Sequence, residues 1–159
     1  FTFHQKPLSI MALILSLVVS TRLISSINAY ADLILANQPN QYKNSTIRCN
    51  GNGDCKIICS ENNSCYKSLI ICPRLFQCDI ECNAPNSCQL ADITCPYGDT
   101  CSLTCSNSNS CRQTTINAQY STQFNLNNCN DGDLTCNGMT IYFPPHIGDK
   151  PRATINGGN

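Results

Sequence analysis

The sequence predicts an all-β fold, a disulfide-stapled parallel β-solenoid (β-helix) of about five 23-residue coils. Three observations carry this reading: a fixed cysteine period, a two-residue alternation inside each unit, and apolar columns that continue beyond the cysteines. The cysteines fall at 49, 55, 59 and 65, then at 72, 78, 82 and 88, then at 95, 101, 105 and 111, each set being the previous one plus 23. The unit reads C-x5-C-x-[I/L]-x-C-x4-S-C-x4-I, three times without an insertion. A fixed period of this length marks a stack of units, none of which buries its own apolar face alone.

Within a unit, Cys78-Asp79-Ile80-Glu81-Cys82 puts Cys, Ile and Cys on one face and the acids on the other, and Ala91-Asp92-Ile93-Thr94-Cys95 alternates in the same way. Period two is the pattern of a half-buried strand. The intervening stretches are rich in Asn, Ser, Gly and Pro, residues that supply turn dihedrals. Two strands and two turns per unit make one coil. Stacking at about 4.8 Å per coil gives a rod roughly 24 Å long, with a cross-section of either two or three faces.

The columns reach past the cysteines. Ile57, Ile80 and Leu103 extend to Ile34 and Leu126, while Ile70 and Ile93 extend to Ile47 and Ile116. Ala118 and Phe124 take cysteine positions, and Cys129 and Cys136 rejoin with a shift of two residues that brings in Ile141. The repeats are therefore expected to occupy residues 32–143, followed by a Pro/Gly-containing tail over 144–159 that reads as truncated. Ahead of them, the apolar block Ile10–Val19 and Ala29-Tyr30-Ala31 read as a signal peptide over residues 1–31, cleaved before Asp32, with an uncleaved signal anchor as the alternative. Arg22 interrupts the apolar run before it reaches the roughly 20 residues of a spanning helix.

Removal of residues 1–31 takes Lys+Arg from 10 to 8 against 10 Asp+Glu, a net charge of −2 without a basic run. Nucleic acid, which needs clustered cations, is not an expected partner. Fourteen cysteines beyond the leader indicate an oxidising compartment and a secreted or cell-surface protein. Zinc and other cofactors are not expected, because there is no C-x2-C knuckle and His4 and His146 lie outside the repeats. Membrane contact is expected only through an uncleaved N-terminal anchor or a further C-terminal region.

Disulfide pairing follows from reach. Cys55 and Cys59 are four strand residues apart, about 13 Å, whereas a bridge needs Cα atoms within roughly 7 Å. Pairing between stacked coils strands one of the three members in each regular column. Pairing across the turns leaves none over: Cys49–Cys55, Cys59–Cys65, Cys72–Cys78, Cys82–Cys88, Cys95–Cys101, Cys105–Cys111 and Cys129–Cys136. Each bridge closes a short loop, worth about 2.4 kcal/mol in the chain-entropy estimate.

Several columns are candidates for function. Asn40, Asn63, Asn86 and Asn109 recur in one turn, where Asn tolerates left-handed dihedrals and the structural role prevails. In the other turn Arg74, Tyr97 and Tyr120 are 23 apart, with Leu75 and Phe76 beside Arg74. Such an edge suits a glycan or an extracellular protein partner, unless its cation–π contacts serve only itself. Leu33, Leu35, Ile58, Leu69 and Ile71 form an expected outward apolar cluster in the early coils. Asp79 and Glu81 are the best acid pair, about 7 Å apart on one strand face, but nothing obvious raises either pKa. A regular threonine face of the ice-binding kind is broken by Leu69 and Asp92. Asn62 and Asn44 head glycosylation sequons, Asn62 at a turn tip and Asn44 close to a strand.

The units CKIICSENNSCYKSLIICP, CDIECNAPNSCQLADITCP and CSLTCSNSNSCRQTTIN resemble Cys-rich tandem repeats in secreted or surface proteins of protists and algae, including oomycetes and foraminifera. The resemblance covers about residues 49–117 and implies a parallel β-helix ectodomain, with no catalytic residues to transfer. The functional expectation is a non-enzymatic structural or adhesive module presenting a rigid surface to glycans or proteins. The alternative is a small carbohydrate-active enzyme using Asp79 and Glu81. Non-reducing peptide mapping is expected to yield short linked peptides such as Cys59–Cys65 and Cys82–Cys88. Crosslinks spanning one full unit, such as Cys55 to Cys78, would refute the cross-turn scheme.

Overall fold

The computed structural model describes residues 30–129 and 134–143, together with the backbone of 152–156. The expected signal peptide, up to residue 29, lies outside the described residues, as do the two histidines and most of the tail. The described chain is a parallel β-solenoid of about five turns. Its larger sheet holds β1 (Asp32–Ala36), β3 (Cys55–Cys59), β5 (Cys78–Cys82), β7 (Thr100–Cys105), β9 (Gln123–Asn127) and β11 (Arg152–Asn156), in that spatial order. The smaller sheet holds β2 (Thr46–Arg48), β4 (Leu69–Ile71), β6 (Asp92–Thr94), β8 (Thr115–Asn117) and β10 (Thr140–Tyr142). No helix among the described residues is long and apolar enough to cross a membrane.

The 23-residue offset is the register of the parallel ladders. Ile34 pairs with Ile57, Ile57 with Ile80, Ile80 with Leu103 and Leu103 with Leu126. On the smaller sheet Ile47, Ile70, Ile93 and Ile116 run in register, and Ile141 joins Ile116 at the shifted spacing. One aliphatic side chain from each sheet fills each coil, and the cysteines complete the core. At the far end Phe124 stands in register with Cys101, is buried, and meets the Phe143 ring edge-on at 6.3 Å between centroids. The solenoid continues beyond residue 143, where the sequence expectation ended it. β11, from the expected tail, pairs with β9.

A third side also bonds from coil to coil. The amides of Asn63, Cys65 and Lys67 donate to the carbonyls of Pro85, Ser87 and Gln89, and those of Asn86, Cys88 and Leu90 donate to Ser108, Ser110 and Arg112. Every other amide of this corner thus finds an acceptor one coil on. The remaining ones close three overlapping turns, as Ser64, Tyr66 and Ser68 N–H donate to Glu61, Asn63 and Cys65 O. Ser64 N–H reaches Glu61 O at 3.0 Å and Ser87 N–H reaches Ala84 O at 3.2 Å, with Asn63 (φ 56°) and Asn86 (φ 55°) at the third position. With Pro39 and Pro85 at the second position, these are type II turns, and the Asn column supplies their positive φ. The last of the three turns needs positive φ as well, and there it falls on Asn44, Lys67, Leu90, Gln113 and Gly138.

The seven disulfides are Cys49–Cys55, Cys59–Cys65, Cys72–Cys78, Cys82–Cys88, Cys95–Cys101, Cys105–Cys111 and Cys129–Cys136, with Cα separations of 5.6–6.1 Å. They form two columns, one beside each end of the larger sheet. Each strand of that sheet from β3 to β7 is therefore stapled at both ends to its flanking corners.

The left-handed positions give a direct test of the turn account. Asn86→Ala is expected to cost about 1 kcal/mol, since Ala lacks the Asn tolerance for this region. Leu75 holds φ 62° while 64% exposed, and the next coil has Gly98 at that position. Leu75→Gly is therefore expected to gain about 0.5–1 kcal/mol, the relieved strain exceeding the added chain entropy. Thermal unfolding with the disulfides intact measures both changes. A loss at Leu75→Gly as large as that at Asn86→Ala would contradict the account.

Candidate functional site

The corner that follows the smaller sheet carries the most distinctive surface. Its backbone is fixed twice, by the staples Cys72–Cys78 and Cys95–Cys101 and by coil-to-coil bonds from Leu75 N–H to Tyr97 O at 3.1 Å and Gly98 N–H to Tyr120 O at 2.7 Å. These bonds stack the side chains that the sequence places 23 apart. The Tyr97 and Tyr120 rings lie 5.3 Å apart between centroids and 30° from parallel, and the Arg74 guanidinium lies 5.7 Å from the Tyr97 centroid. The stack does not bury itself: Tyr97 remains 51% and Tyr120 63% exposed.

Beside the stack runs an open groove of about 770 Å³. Its floor is buried Cys49, Cys72, Pro73 and Cys95, and its rim carries Arg48, Arg74, Tyr97 and Tyr120. Arg48 was not singled out by the sequence. Arg48 ends β2 where the corner begins and lines the same groove as Arg74 of the next coil. Phe76, expected to belong to the edge, is half-buried and is not among the residues that line the groove.

Asp79 and Glu81 share the outward face of β5, as the alternation requires, but both are engaged. The Tyr30 hydroxyl donates to Asp79 at 2.6 Å, and Gln77 Nε2 donates to both of its oxygens at 3.0 and 3.1 Å. Glu81 pairs with Lys56 at 2.6 Å and accepts a hydrogen bond from Asn83 Nδ2 at 3.1 Å. The Lys56 contact holds the Glu81 carboxyl below its ordinary range. That is the wrong direction for a general acid, which needs a raised pKa. Tyr30 is pushed up to about 12, first by its hydrogen bond to Asp79 and then by burial and the surrounding carboxylates. Tyr30 lies ahead of the expected cleavage point, so the expected mature chain would hold Asp79 through Gln77 alone.

The opposite corner carries an aromatic of its own. Tyr66 is flanked by Lys43 and Lys67, whose ammonium groups lie 5.3 and 5.4 Å from its ring centroid. The sequence offers little signal for this cluster because no other unit has an aromatic at that position. The expected outward apolar cluster divides in two: Leu33, Leu35 and Ile58 face out from the larger sheet, Leu69 and Ile71 from the smaller one. Asn44 and Asn62 are both exposed. Ser64 of the Asn62 sequon is buried, whereas Thr46 of the Asn44 sequon is exposed, so the folded chain displays the Asn44 sequon more fully. The sulfurs of Cys105, Cys129 and Cys136 lie within 4.8 Å of one another, but each is in a disulfide and has no thiolate to offer a metal.

No family model, curated protein or solved structure matches the chain.

The Lys56–Glu81 pair predicts the acid side of the stability profile. The folded pKa of Glu81 is depressed, so its contribution is present above the unfolded value of about 4.3 and is lost as pH falls through the lower folded value. Glu81→Gln is expected to be less stable than the parent at neutral pH, with the two unfolding midpoints converging as pH drops below the carboxylate range. A difference that stays constant with pH would show that the pair contributes nothing.

Proposed function

We propose that this chain is a non-enzymatic extracellular module, structural or adhesive, whose stapled rod presents a rigid recognition edge to glycans. The observation that carries the reading is the Arg74–Tyr97–Tyr120 stack, ordered from coil to coil yet half or more exposed at both tyrosines. Exposed aromatic side chains held in advance lose little entropy when a sugar ring packs against them. The enzyme alternative at Asp79 and Glu81 draws no support, since Gln77 donates to both oxygens of Asp79 and Glu81 is ion-paired with Lys56.

Seven disulfides are typical of proteins that leave the cytosol, and we place this one in the secreted or cell-surface class. Its likeness to the Cys-rich repeat proteins of protists and algae belongs to the same proposal, as does glycan attachment at Asn44 or Asn62. A protein partner would use the same edge.

Affinity electrophoresis through immobilised cell-wall polysaccharides tests the reading. The parent chain is expected to be retarded and Tyr97→Ala to run free, with a melting temperature close to the parent. Equal retardation of both would leave the stack a purely internal contact and the rod a spacer.

A further inference from the structure

We infer that the groove beside the tyrosine stack is a subsite for the carboxylate of an acidic sugar, so that the glycan this edge takes is a polyuronate. The inference rests on the edge being a glycan platform and adds the class of glycan.

The charge in the groove is one-sided. Arg48 and Arg74 are its charged lining residues, and no carboxylate lines it. Among the described residues the ion pair is Lys56–Glu81, on another face, so neither arginine is neutralised by a salt bridge. Asp32 approaches this side of the coil, but its two oxygens accept from the backbone and side-chain amides of Asn50, a groove residue. Two guanidiniums without a carboxylate partner at one groove are notable in a chain whose expected mature net charge is −2.

The shape and chemistry select among anions. The column from Gly51 to Tyr120 rises by three coils, about 14 Å, which accommodates a short run of sugar residues. Tyr97 and Tyr120 offer exposed aromatic surface to the apolar side of a pyranose ring, and a guanidinium fork matches the two oxygens of a carboxylate. An acidic peptide fits less well. Peptides bind extended surfaces largely through free backbone groups, and here the amides of Cys49, Cys72, Leu75, Cys95 and Gly98 already donate to the next coil.

The test is calorimetric titration of the full, disulfide-bonded chain with unesterified oligogalacturonate, its methyl ester, poly-glutamate and dextran sulfate. The free acid is expected to bind at least about tenfold tighter than the ester at low ionic strength, and the gap should close in about 0.5 M NaCl. Arg48→Gln and Arg74→Gln should each weaken the free acid and leave the ester unchanged, whereas Tyr97→Ala should weaken both. Because the salt titration uses the parent chain, the result does not depend on any variant folding. Equal affinity for acid and ester would overturn the charge inference and leave the platform standing. Binding of neither sugar would remove both. Poly-glutamate or dextran sulfate binding as tightly as the free acid would overturn the assignment to uronate.

Discussion

Every part of this molecule depends on one closure condition: the chain must return to the same point of the cross-section, one strand spacing higher, after each circuit. A coil is only one backbone thick, so it has no interior of its own. Ile57 is buried because Ile34 and Ile80 lie on either side of it and Ile70 faces it. The ladders on both sheets and along the third side enforce that return, and together they satisfy the backbone groups that a narrow core would otherwise leave unpaired.

The disulfides answer a second shortage. Two large aliphatic side chains per coil bury little surface against the entropy of ordering 23 residues. Half-cystines serve as compact apolar filler and also restrict the unfolded chain. Where cysteine is missing, size takes over: Phe124 occupies the register of Cys101 and closes against Phe143. This rigidity extends to the tyrosine edge, whose geometry is set by the coil-to-coil bonds and staples beneath it.

The repetitive part of this architecture was legible in the sequence and the exceptional part was not. The aliphatic columns, the Asn turn and the stacking of Arg74, Tyr97 and Tyr120 follow from arithmetic on a fixed offset. The second left-handed turn position leaves no pattern in the sequence because Lys67, Leu90 and Gln113 share a dihedral without sharing a chemistry. Arg48 and Tyr66 each occur once in their columns, so periodicity cannot flag them. Tyr30 reaches Asp79 across two coils, a contact that depends on how the chain enters β1. The outward apolar cluster failed as a unit because position in a coil, and not proximity in sequence, decides which sheet a side chain faces.

The register has an evolutionary reading. Since β3, β5 and β7 are stacked on like neighbours, duplication or loss of one whole unit leaves each surviving residue in surroundings of the same kind. Unequal recombination between repeats is then nearly silent for folding, while it changes the length of the rod by about 4.8 Å per event. It also lengthens or shortens the aromatic edge by one rung. The length of the rod and the length of its aromatic edge can therefore change together by copying, with no new fold to be found at any step.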